Sequence, residues 1–146
     1  MKLKSNKSGF TLVELMIVAI IVAILAAVAI PLMGSNKKRA MMTEAEAGLG
    51  MLRSSLRTLY AESGAYNKDR SGASLSTGSI TNIPGVTTND IAGRWFDGNA
   101  YDLQSVASNS YTVRCRGDQS TSANKAEVAG LTVTLDESGT FVRTGY

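Results

Sequence analysis

The chain has 146 residues, one cysteine and no histidine, enough for one small domain with a single core. The missing histidine removes the usual general base and the commonest metal ligand, and a lone cysteine cannot close an internal disulfide. The formal charge is +3, but without Lys2, Lys4 and Lys7 the balance is 12 Lys+Arg against 12 Asp+Glu, and no stripe of basic and aromatic residues follows, so nucleic acid is not an expected partner.

Residues 1–9 are basic and contain no acid. From Leu15 to Met33 the chain then runs for 19 positions without a charge. A secretory signal has an apolar stretch of only about 7–15 residues. A helix of the observed length rises ~28 Å, close to the ~30 Å hydrocarbon core of a bilayer, so a membrane-spanning helix is expected. Glu14 stands at its entrance. A carboxylate costs roughly 2.5–3.5 kcal/mol at the centre of such a helix and less near the interface. By itself it is either an interfacial group reaching headgroup water or a carboxylate waiting for a cation. Cations flank both ends of the apolar run, with Lys37, Lys38 and Arg39 following it, so charge bias does not orient the span.

Pro31 and Gly34 close the apolar run. Proline inside a helix removes a backbone bond and clashes with the preceding turn, at ~3 kcal/mol or more. Yet helical spacing resumes at once: Met42, Ala45, Leu49, Leu52, Leu56 and Leu59 form one apolar stripe. We therefore expect a kink at Pro31 and Gly34 within one long helix that stops near Gly64. Gly48 and Gly50 are costly in a helix interior; they are either tolerated weak points or places where another element approaches closely.

Residues 65–93 read as a connecting loop, with the Ser- and Gly-rich stretch 71–79 on the surface. From 94 onwards, period-2 alternation predicts strands. Arg94-Trp95-Phe96 opens the first, which reaches Tyr101 to Leu103. Tyr111, Val113 and Cys115 mark the next, then Leu131, Val133 and Leu135. Asp136-Glu137-Ser138-Gly139 turns into a last strand over 140–144. Such a sheet has one apolar face, and the helix stripe supplies its cover. The expected fold is α+β: a long N-terminal helix, membrane-spanning in its first half and amphipathic in its second, packed on a C-terminal antiparallel sheet. The expected divisions are 1–9, 10–33, 34–64, 65–93 and 94–146, with 34–146 forming a globular head.

Catalytic chemistry finds little support. Cys115 lies on the apolar face of its strand and reads as a small buried hydrophobe rather than a nucleophile. Asp90, Asp97, Asp102 and Asp118 are oxygen ligands of the type that binds calcium, but they lack EF-hand spacing and read as solvated acids. No catalytic residue, metal ligand or cofactor is expected, structural calcium being the one alternative.

The string Lys7-Ser8-Gly9-Phe10-Thr11-Leu12-Val13-Glu14-Leu15-Met16 resembles the signature of type IV pilins. The resemblance covers the first 35 residues or so closely and the rest in layout. It implies that residues 1–9 are a leader, cut between Gly9 and Phe10 by a prepilin peptidase that also methylates the new Phe10 amine. It implies that Glu14 meets the Phe10 amine of a neighbouring subunit and sets the register of a helical filament. Phe10 and Glu14 stand at i and i+4, which puts them one turn apart if both are helical. The implied precursor sits in a bacterial inner membrane with its N-terminus cytoplasmic, and the assembled product is an extracellular filament of many copies, handled by a pilus or type II secretion assembly machinery. A type II secretion pseudopilin and a minor pilin with an adhesive or DNA-uptake role are the alternatives. The tract from Gly93 to Tyr101 is loosely similar to a stretch of major pseudopilins in which a nearby loop holds calcium; no ligands are carried over. Pilins usually staple the C-terminal region with a disulfide, and this chain departs from that pattern.

Overall fold

A computed structural model describes residues 9–145, with the backbone alone at Leu32. Lys2, Lys4 and Lys7, and so most of the expected leader, lie outside the described residues. The chain forms two compact units that divide between Asn36 and Lys37.

One α-helix, α1, spans Leu12–Ser63 and runs through Pro31 and Gly34 without a break. Proline has no N–H, so the carbonyl of Ala27 lacks its helical donor there. In the first unit the large apolar side chains between 12 and 30, and Met33, are all more than half exposed. This part of α1 is long and apolar enough to cross a membrane. The helix ends where Gly64 takes a φ of +76°, a left-handed turn that glycine adopts without strain. Its N–H still donates to the Tyr60 carbonyl at 2.8 Å.

In the second unit the predicted stripe is the core. Met42, Ala45, Leu49, Leu52, Leu56 and Leu59 are all buried, and Met41 joins them. They face a five-stranded antiparallel meander in chain order: β1 (Gly78–Ser79), β2 (Tyr101–Val106), β3 (Tyr111–Arg116), β4 (Thr132–Asp136) and β5 (Phe141–Thr144). Tyr101 pairs with Cys115, and Cys115 with Val133. The alternation therefore puts Tyr101, Leu103, Tyr111, Val113, Cys115, Val133 and Leu135 on the buried face. A short helix, α2 (Lys125–Val128), lies in the β3–β4 connection and buries Val128.

Two segments differ from expectation. The stretch 65–93 is more than a connection: it holds β1, the edge partner of β2, and it buries Ile80, Ile83, Val86 and Ile91 in the core. The first long strand begins at Tyr101, and Arg94-Trp95-Phe96 is not part of it. The Glu44 carboxylate on α1 accepts the backbone N–H groups of Arg94, Trp95 and Phe96 at 3.1, 2.7 and 2.9 Å. Donors satisfied by a carboxylate are lost to a strand ladder.

The two helical glycines have different surroundings. A side chain at Gly50 would meet open space, whereas one at Gly48 would strike the Tyr101 ring. Gly48 thus lets β2 approach α1 closely. The Tyr101 hydroxyl is buried there without a nitrogen or oxygen partner among the described residues.

Candidate functional site

The helix start is built by two side chains. Thr11 precedes the first helical residue, so it is the cap, and Glu14 is the third residue of the helix. Glu14 Oε2 accepts the Thr11 backbone N–H at 2.8 Å and the Thr11 hydroxyl at 2.9 Å. The Thr11 hydroxyl oxygen accepts the Glu14 backbone N–H at 3.2 Å. This reciprocal pair is a capping box, which satisfies two orphan donors of the first turn. It also places a carboxylate at the positive end of the helix dipole.

The cap has a consequence for Phe10. Because α1 begins at Leu12, Phe10 lies outside the helix, and the expected one-turn helical separation of Phe10 and Glu14 is not what the chain adopts here. Phe10 is 82% exposed, and Gly9 is exposed with open space around its α-carbon. The Gly9–Phe10 bond is therefore accessible and non-helical, the form in which backbone is most readily cut. Chemically, the arrangement offers an accessible peptide bond, followed by a carboxylate whose partners among the described residues are both on Thr11. Thr11 was the residue passed over in the sequence, although Thr11-Leu12-Val13-Glu14 has the S/T-x-x-E spacing of a capping box.

The four aspartates considered for calcium do not converge. Asp102 is held in a fork by Arg114, with Nη2 at 2.6 Å and Nε at 3.1 Å, and Arg116 stands 3.6 Å away. Asp90 accepts the Thr87 N–H at 2.7 Å. Asp97 accepts the N–H and hydroxyl of Thr121, and Asp118 accepts from Gln119. Among the described residues no three Asp, Glu, Cys or His side chains gather as a metal site would require. Cys115 is buried, and burial pushes its thiol well above the ordinary range, which is the opposite of what a nucleophile needs.

Comparison with known proteins agrees with this geometry. Residues 4–30 match the family described as the prokaryotic N-terminal methylation motif. Over 74 residues, 51% of this chain and 48% of the relative, the sequence is 36% identical to a fimbrial protein, EcpC, of Eikenella corrodens. Over 73 residues, 50% of this chain and 44% of the relative, it is 40% identical to the type IV major pilin protein PilE of Neisseria gonorrhoeae. The chain thus spans about half the length of the curated relatives it matches. The crystal structure of the non-core minor pilin PilV of Neisseria meningitidis has a similar fold, with a TM-score of 0.50 at 16% identity, covering 77% of this chain and 91% of that one. The chain is thus similar to type IV pilins in its N-terminal methylation motif and, at the level of fold, to a minor pilin.

Proposed function

We propose that this chain is the precursor of a structural filament subunit and carries no catalytic activity of its own. The observation that supports this best is the accessible Gly9–Phe10 bond, set just ahead of a capped helix whose large apolar side chains between 12 and 30 are all exposed. Before assembly those side chains lie in the bacterial inner membrane, with the N-terminus cytoplasmic. A prepilin peptidase removes residues 1–9 and methylates the Phe10 amine. The helices of many copies then leave the bilayer and pack together in the core of an extracellular filament. Lipid tails are as apolar as leucine, so close packing and polar pairing must favour the filament over the membrane. The Phe10 ammonium and Glu14 provide such a pair between neighbours. Mass spectrometry of purified filaments tests the processing step: the expected N-terminus is N-methylated Phe10. An intact Met1, or a cut after Ala27 or Ala29, would refute it.

The same reading assigns a role to Pro31. With the Ala27 carbonyl already without a donor, the segment from about Ala23 to Pro31 is the least costly place for α1 to loosen when subunits pack. Removing the proline restores a helical bond and a penalty of ~3 kcal/mol disappears. Pro31→Ala filaments are therefore expected to be stiffer, or fewer, than wild type. Continuous i→i−4 bonding through this stretch in a filament map, with unchanged stiffness of the variant, would exclude the idea.

A further inference from the structure

The only tryptophan of the chain, Trp95, is half-buried beneath two cations. The Lys37 ammonium lies 5.1 Å and the Arg94 guanidinium 4.9 Å from its ring centroid. The backbone around it is fixed from two sides. Glu44 holds the N–H groups of residues 94–96. The Trp95 carbonyl accepts from Ser122 at 2.9 Å and from Ser120 at 3.4 Å, and Asn124 donates to the Arg94 carbonyl at 2.8 Å.

The loop's position along the chain gives the anchoring a meaning. Lys37 follows the last apolar residue of the span, Met33, by four residues. Four residues rise ~6 Å as helix and reach at most ~14 Å when extended. The headgroup layer on each side of a bilayer is about 5–7 Å thick. Connectivity therefore keeps Lys37 within ~14 Å of the end of the apolar run, and its ammonium lies 5.1 Å from the Trp95 ring. Tryptophan favours that layer, where its ring sits among apolar atoms and its N–H stays wet. Glu127 pairs with Lys37. Among the described residues Lys38, Arg39 and Arg94 enter no ion pair, and Lys38 donates to the Gly145 carbonyl at 3.4 Å; Lys37, Lys38, Arg39 and Arg94 thus stand against the Glu127 and Glu44 carboxylates, a positive excess.

We propose that Trp95, with Lys37 and Arg94 over its ring and with the adjoining Lys38 and Arg39, docks on the headgroups of anionic phospholipids while the subunit waits in the membrane. The proposal rests on the reading of the first half of α1 as a membrane span. Phosphate groups would pair with the cations, and the indole would settle at the acyl boundary. The patch would hold the head at the bilayer and release it when the subunit leaves for the filament.

A single tryptophan makes the test direct. The full chain is reconstituted in phosphatidylcholine vesicles with or without phosphatidylglycerol, using lipids brominated near the top of the acyl chain. Bromine quenches indole only at close range. Expected are about twofold stronger quenching of Trp95 in the anionic vesicles, and its loss near 1 M salt, where the Debye length is about 3 Å. Replacing Lys38 and Arg39 with glutamine together with Arg94→Gln should lower quenching to the level in phosphatidylcholine, with an unchanged circular dichroism spectrum. Alkaline carbonate extraction separates the two readings. A chain that resists extraction but shows quenching independent of lipid charge overturns the docking patch and leaves the span standing. A chain that carbonate strips from the vesicles overturns both.

Discussion

Glu14→Gln is expected to abolish filaments while leaving the start of α1 intact. Glu14 caps the helix in the structure and is a register partner in the proposed function, and this substitution separates the two. As a cap, Glu14 needs an oxygen that reaches the Thr11 N–H, now made at 2.8 Å, and glutamine serves that role. As a partner for a neighbour's Phe10 ammonium, it needs charge, which glutamine lacks. An unpaired ammonium in an apolar filament core costs several kcal/mol, because breaking a buried pair leaves one charge uncompensated. Glu14→Ala should fail equally, and its failure cannot stem from poorer insertion, since removing a charge eases entry into lipid. Thr11→Ala is the counterpart: it removes the cap at a cost of about 1 kcal/mol and should still assemble. Electron microscopy of sheared surface fractions from cells lacking the wild-type subunit gives the readout. Normal filaments from Glu14→Gln would reduce Glu14 to a capping residue and sink the register role.

The two glycines in the second half of α1 are expected to respond to alanine with opposite signs. At Gly50 the new methyl enters open space, and the helix gains about 0.8–1 kcal/mol from the better propensity. At Gly48 it would stand 2.6 and 2.7 Å from the Cζ and Cε1 atoms of Tyr101. That ring is buried between α1 and the sheet, so it cannot swing away. Overpacking of this kind costs typically about 1–3 kcal/mol, which outweighs the propensity gain. The two variants should differ in stability by roughly 2 kcal/mol, or roughly 8 °C in melting temperature for a unit of this size. Thermal unfolding of the full chain in detergent measures both. A Gly48→Ala protein at least as stable as Gly50→Ala would show that β2 does not press on α1 at this point.

What could be read in the sequence was what depends on short-range pattern. The stripe from Met42 to Leu59 needs only the 3–4 spacing of a helix, and β3 and β4 need only their alternation around Val113 and Val133. The proposed cleavage site at Gly9–Phe10 rests on a linear string in the same way. What was missed depends on partners far along the chain. Arg94-Trp95-Phe96 has strand-forming composition, but Glu44, some fifty residues earlier, takes its donors. Ile80, Ile83, Val86 and Ile91 are buried without any period that marks a face, because an irregular segment covers them against the core. Gly48 and Gly50 are identical in sequence and differ only in what lies opposite them. The capping box at Thr11 was visible but hidden beneath a second signal carried by the same Glu14.

Cys115 sits alone in the core, and the 146 residues contain no second cysteine. Ladder bonds, packing, the Arg114–Asp102 fork and the Arg143–Glu46 pair between β5 and α1 hold the sheet. With a single cysteine, these residues hold no internal disulfide for a thiol reductant to open. The same absence of a covalent link means that a pull on the C-terminal end meets β5 first, an edge strand with Val142 exposed. The resistance at that edge then comes from the β4–β5 ladder and from the Arg143–Glu46 pair that ties β5 to α1.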